Sequence, residues 1–144
     1  MDFVQLRGEY MAKGPFKFGK SSIRRFQTLH PDLQKLLMEA INYVDFSIVC
    51  GYRGRADQER AFLENKTEVH FPHSKHNSYP SKAVDVAPWP IEWQDHEGFT
   101  LLAGILYGIA RCRGINIRLG VDWDGDGYVE EHNFKDRPHI ELLD

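Results

Sequence analysis

HSKHNSYPSKAVDVAP, residues 73–88, changes character halfway along. Its first half holds no hydrophobic period and is dominated by His, Ser, Asn and Pro. Its second half, AVDVA at 83–87, reads as a short strand closed by Pro88-Trp89-Pro90. Side chains alternate across a strand, so Asp85 stands opposite Val84 and Val86. If the valines face a core, Asp85 faces solvent or a site, and the residues alone leave that choice open. The stretch is either a polar loop entering an ordinary strand or part of a metal site whose other ligands lie elsewhere.

Working outward, Leu33, Leu36, Leu37, Ala40, Ile41 and Val44 recur at helical spacing after Pro31, a residue suited to a first turn. DFSIVCGYR (45–53) predicts a strand with a break at Gly51, and RADQERAFLEN (55–65) a helix with a weak apolar face. Residues 66–82 hold no period, and a loop of that length inside a domain is functional or disordered. Phe99, Leu102, Ala103, Leu106, Ile109 and Ala110 define a further helix capped at Gly114. Leu101, Ile105 and Tyr107 make it apolar nearly all round, which predicts a central helix, with Gly104 and Gly108 admitting a close neighbour. INIRLGVDW (115–123) and PHIELL (138–143) predict strands separated by an acidic loop. Helices and strands interleave irregularly and without a repeat. The expectation is an α+β fold, one domain with a small, mostly antiparallel sheet and helices packed on it. Residues 1–15, ending in Gly14-Pro15, read as an arm, and 16–144 as the domain.

The 144 residues, 42% hydrophobic and 12% aromatic, suffice for one core. A net charge of −3 offers no surplus to neutralise phosphates, which argues against nucleic acid as a partner. Lys13, Lys17, Lys20, Arg24 and Arg25 form a local basic patch, read as a solvated face or a contact for an anionic polymer. Cys50 and Cys112 sit among apolar residues and read as two buried free thiols in preference to a disulfide. No apolar run approaches the roughly 18 residues of a membrane span, so no membrane insertion is expected. MDFVQLRGEYMAKG lacks the apolar stretch of a signal peptide, which predicts a chain made in the cytoplasm. A monomer is expected.

His76, Asp85 and His139 lie at predicted strand edges, and catalytic zinc takes three ligands of these types plus a water. The helical HExxH pattern is absent. Taken singly, each residue has an ordinary reading: an exposed or structural histidine, a hydrogen-bonding aspartate, a polar start to an edge strand. Together they match something more specific. SKHNSYPSKAVDVAP and DRPHIEL resemble the two metal motifs of the zinc D-Ala-D-Ala carboxypeptidase and L-alanyl-D-glutamate endopeptidase family. IVCGYRGRADQ is similar to the family's arginine-bearing strand and following helix, and residues 16–37 to the opening of its phage endolysins. One departure is that Asp85 lies nine positions after His76, two more than the common form, with Ser81 where a Gly is expected.

The resemblance implies a hedgehog/DD-peptidase-like fold with Zn²⁺ held by His76, Asp85 and His139, with His70 and His73 as competing ligands. Zinc lowers the pKa of a bound water from 15.7 to about 7. It further implies Asp136 as general base, whose ordinary reading is a surface partner of Arg137. Arg53 would polarise the scissile carbonyl or hold a substrate carboxylate, its ordinary reading being a strand-end cation. Ser74 and Gln58 are candidate substrate or ligand-supporting contacts. DWDGDGYVEEH (122–132) opens like a calcium loop, with Asp122, Asp124 and Asp126 at alternate positions, then Gly127, Glu130 and Glu131. Position twelve is Asn133, so the full motif fails, and a solvated acidic turn is the alternative. Relatives that regulate activity through calcium here favour Ca²⁺. The implied activity is cleavage of the L-Ala-D-Glu bond in peptidoglycan peptide stems by an endolysin released to the wall through a holin. The alternatives are a D-Ala-D-Ala carboxypeptidase and a non-catalytic metal-binding interaction domain.

Overall fold

A computed structural model describes residues 14–129 and 136–144. Its elements are α1 (Lys20–Phe26), α2 (Pro31–Ala40), β1 (Phe46–Cys50), α3 (Arg55–Leu63), a 3-10 turn (Lys75–Asn77), β2 (Ala83–Pro88), α4 (His96–Arg113), β3 (Ile117–Leu119) and β4 (His139–Leu142). The strands form one sheet in the order β1-β2-β4-β3, and every neighbouring pair is antiparallel. The α+β expectation holds.

Alternation divides the sheet into two faces. Val84, Val86, Ile117, Leu119, Ile140 and Leu142 point to one side and join Leu33, Leu36, Leu37 and Ile41 of the α2 region and Leu102, Leu106 and Ala110 of α4 in a single core. Asp85, Arg118, His139 and Glu141 alternate with these residues and so occupy the other face. The choice left open at Asp85 is thereby closed: the valines are buried and Asp85 is on the site side.

Local chemistry explains the helix ends. Pro31 takes the first helical position of α2, and the His30 ring accepts from the Asp32 amide at 3.1 Å. Asp95 caps α4 by accepting from the Gly98 amide at 3.0 Å, and Gly114 closes it at φ 69°, the left-handed conformation that glycine adopts cheaply. α1 was not anticipated, because KSSIRRF carries only two large apolar residues. It lies along the outer edge of β1. There Ser22 Oγ accepts from the Ile48 amide at 3.0 Å and Arg25 donates to the Ile48 carbonyl at 3.0 Å.

Four expectations need correction. α4 is not apolar all round in its setting: Leu101 is 63% and Tyr107 41% exposed. A Cβ on Gly104 or Gly108 would meet nothing within 4 Å, so neither admits a close neighbour. The helix lies on one side of the sheet with its outer face in solvent. Cys112 sits on that outer face and is exposed, while Cys50 is half-buried, and both are free thiols. The strand predicted over 115–123 shrinks to Ile117–Leu119, because the chain turns at Gly120 and Asp122 bridges back to Leu119. Of the predicted arm, residues 1–13 lie outside the described residues; the Gly14 amide is tied to Asn42 Oδ1 at 3.0 Å.

Candidate metal centre

The centre begins with strand register. Asp85 pairs across β2–β4 with His139, and across β1–β2 with Cys50. The second pairing requires a bulge between Ile48 and Cys50, where one extra residue re-aims the chain. Cys50, Asp85 and His139 therefore form a row across three strands. His76 arrives from above on the 3-10 turn, 1% exposed. Ser74 Oγ caps that turn by accepting from the His76 amide at 3.2 Å, and the Ser74 amide donates to Asn77 Oδ1 at 3.0 Å.

Two imidazoles converge on one carboxylate oxygen. His76 Nε2 is 3.3 Å and His139 Nδ1 is 3.2 Å from Asp85 Oδ1. The remaining ring nitrogens face acceptors. His76 Nδ1 donates to the Gly51 carbonyl at 2.8 Å, and His139 Nε2 donates to Glu141 Oε1 at 2.9 Å. A neutral imidazole has one donor and one acceptor nitrogen. Both rings, in that form, present a bare nitrogen beside the Asp85 carboxylate. Three acceptors pointing at one place need a positive charge between them, supplied by protons or by a metal ion.

The electrostatics agree. Burial pushes the His76 pKa down, but the Asp85 charge and hydrogen bond outweigh it and carry it up to about 10. His139 is raised against its own burial by hydrogen bonds to Asp85 and Glu141. Asp85 itself is held well below the carboxylate range, since both imidazoles outweigh the cost of its burial. These are the protons a divalent cation displaces. Imidazole and carboxylate suit zinc, so the donor set fits that ion. Ligand atoms of Cys50, His76 and Asp85, and of Asp85, Asp136 and His139, come within 4.8 Å of one another, so Asp85 is common to both triples. Cys50 was not foreseen as a neighbour. Its Sγ approaches His76 on the Nδ1 side, at 3.8 Å, away from the nitrogen that faces Asp85.

Asp136 stands beside this cluster, its carboxylate 3.9 Å from His139 Nδ1, and among the described residues no ion pair joins it to Arg137. Burial, aided by the Asp85 charge, raises its pKa to about 6. Its backbone is fixed by Gly120: the Asp136 amide donates to the Gly120 carbonyl at 3.0 Å, and the Gly120 amide to the His139 carbonyl at 2.8 Å. Arg53 reaches the same cleft, an opening of about 1060 Å³ also lined by His73, Ser74, Trp93, Arg118 and Trp123.

Gln58, a candidate substrate or ligand-supporting contact, does not line the cleft. It is 0% exposed, and its amide accepts from Arg53 Nε at 2.8 Å and Asn77 at 3.0 Å while donating to the Val69 carbonyl at 2.7 Å. It holds Arg53 by the inner nitrogen. His70 lies outside the cluster: it pairs with Glu59 at 2.7 Å and stacks on Phe62, pinning the long loop to α3. His73 lines the cleft without joining the converging nitrogens. Ser81 is buried and bonded through its hydroxyl to the Ala83 carbonyl at 2.7 Å. Its backbone bridges to Leu29, which is how the longer loop reaches β2.

Asp122, Asp124 and Asp126 also bring oxygens within 4.8 Å of one another. The loop turns at Gly125 and Gly127, with φ of 72° and 88°. Asp122 Oδ2 accepts from the Gly127 amide at 2.8 Å. Glu130 and Glu131 lie outside the described residues.

Known proteins resemble this chain along nearly its whole length. The model of the phage L-alanyl-D-glutamate peptidase family matches residues 14–143. The chain is 34% identical over 136 residues to the L-alanyl-D-glutamate peptidase of Escherichia phage T5, covering 89% of this chain and 98% of that protein. The crystal structure of the Serratia marcescens L-Ala D-Glu endopeptidase ChiX superposes with a TM-score of 0.70 at 26% identity, covering 88% of this chain and 90% of that one.

Proposed function

The chain belongs to the phage L-alanyl-D-glutamate peptidase family, and from that membership we propose that it is a zinc peptidase cutting the L-Ala-D-Glu bond of peptidoglycan stems, acting as an endolysin. The observation that carries the metal half of this reading is the convergence of His76 Nε2 and His139 Nδ1 on one oxygen of Asp85. The bond is the one named for the phage T5 relative and for ChiX.

His76, Asp85 and His139 hold the ion. When bound, zinc supplies an electrophile that acidifies water and polarises the scissile carbonyl. Asp136 accepts the proton of the attacking water and returns it to the leaving amine, a role supported by its place beside His139 and by a burial-raised pKa. Arg53, held through Nε by Gln58, turns its outer guanidinium nitrogens to the scissile carbonyl or to a stem carboxylate. Gln58 and Ser74 act through the residues they hold, one on Arg53 and the other on the turn bearing His76. The catalytic domain is residues 16–144, and its substrate is the wall, reached from the host cytoplasm by way of a holin. Among the described residues no helix is long and apolar enough to cross a membrane.

Digestion of purified peptidoglycan followed by mass spectrometry tests the bond. The expected products are stems beginning with a free D-Glu amine and glycan retaining L-Ala. Release of terminal D-Ala instead would make it a carboxypeptidase. An intact polymer in the presence of zinc-loaded protein would leave a non-catalytic metal-binding domain.

The same reading gives the acidic loop a regulatory Ca²⁺, with Asp122, Asp124 and Asp126 as donors together with Glu130 and Glu131. Its support is the oxygen cluster and a loop that leads from β3 back to the Asp136 segment. Calorimetric titration is expected to give binding below about millimolar Ca²⁺, weakened by Asp124→Ala. Absence of heat at that concentration would remove calcium from the account.

A further inference from the structure

Glu141 lies two residues beyond His139, so both side chains emerge on the same face of β4. The Glu141 side chain is 8% exposed. One of its oxygens accepts from His139 Nε2 at 2.9 Å. The other takes Arg118, its cross-strand neighbour on β3, at 2.9 Å and lies 3.7 Å from Lys75 Nζ. Lys75 in turn donates to the Leu142 carbonyl and immediately precedes His76 in the 3-10 turn. One buried carboxylate therefore touches the histidine on β4 and the turn that carries the other histidine.

We propose that Glu141 is a positioning residue of the metal centre, holding His139 with Nδ1 free for the ion and tying β4 to the turn that presents His76. The chemistry is direct. An ionised carboxylate only accepts, so the ring nitrogen facing it carries the hydrogen and the opposite nitrogen is left bare. Outer partners of this kind fix ring orientation and raise ligand basicity. A leucine or alanine at 141 would leave the ring free to rotate and to present the wrong nitrogen. The inference rests on the reading of His76, Asp85 and His139 as zinc ligands.

The test is zinc affinity, measured by competition with a chromophoric chelator, together with nitrogen NMR of the histidine rings in zinc-loaded protein. Glu141→Ala is expected to weaken zinc binding by about 10- to 100-fold. Glu141→Gln keeps an acceptor opposite Nε2 and should recover most of that loss. Arg118→Met removes the Arg118–Glu141 ion pair but leaves the bond to His139, so it should lower melting temperature and hold zinc affinity within about threefold, short of the loss expected at position 141. The wild-type spectrum should carry zinc on Nδ1 of His139 and a hydrogen-bonded proton on Nε2, a result that needs no variant to fold. Zinc on Nε2 would overturn the proposal, as would equal affinity losses in Glu141→Ala and Arg118→Met. Failure of the wild-type protein to bind zinc would overturn the ligand assignment and this inference together. Zinc binding that Glu141→Ala leaves unchanged would overturn this inference alone.

Discussion

Asp136→Ala is expected to lower the rate of stem-peptide cleavage by about 10²- to 10⁴-fold, the range that a positioned acid–base group contributes, while the protein keeps its zinc. The contrast is His139→Ala, which removes one of the two nitrogens converging on Asp85 and should lose metal and activity together. The pair of variants decides a point of geometry. Asp136 belongs with Asp85 and His139 to one of the groups able to close on an ion, so its carboxylate stands near enough to be a ligand. Yet it stands 3.9 Å from His139 Nδ1, with its side chain 28% exposed toward the cleft where a water and a peptide must enter. Zinc content after dialysis and hydrolysis of purified peptidoglycan are the two measurements. Near-native hydrolysis by Asp136→Ala would remove it as the base, and loss of zinc from that variant would make it a ligand instead.

Gly120→Ala is the second large effect. A Cβ at this position would stand 1.9 Å from the Asp136 carbonyl oxygen and 3.0 Å from His139 Cβ. The first obstacle is backbone, so the clash cannot be relieved by a rotamer change. Relief requires the Asp136 segment to move away from β3, breaking the reciprocal bonds that tie residues 120, 136 and 139. Overpacking of this sort costs about 1–3 kcal/mol of stability. Activity should fall further than stability, because a displacement of about 1 Å at a catalytic group can cost 10²-fold. Thermal denaturation and peptidoglycan hydrolysis on the same preparation check both. A variant with native activity and native melting temperature would mean that the chain passes this point differently.

The sequence carries the frame of this site but not its connections. AVDVA announces a strand and sets Asp85 on the face opposite Val84 and Val86, but which of the two faces meets the core is decided only by the packing. Pro31 and Gly114 mark helix ends through their own backbone restrictions. Cys50 could not be placed, because a bulge shifts its register by one and no residue in FSIVC demands that bulge. Glu141 was invisible for a related reason: its meaning depends on which strand lies beside β4, and Arg118 stands 23 positions away. Gln58 read as a substrate or ligand-supporting contact, and only the folded loop over it reveals that it is buried with its amide on Arg53. The outer face of α4 misled through composition, since Leu101 and Tyr107 are apolar yet lie in solvent.

The attachment of α1 to the outer edge of β1 bears on how the molecule behaves among copies of itself. An open strand edge is a template on which another chain can add, and addition repeated from copy to copy ends in aggregates. Ile48, near the middle of that edge, has its amide committed to Ser22 and its carbonyl to Arg25. A short, basic helix, anchored in the core through Phe26, thus also covers the sheet edge, and an incoming strand would first have to displace it.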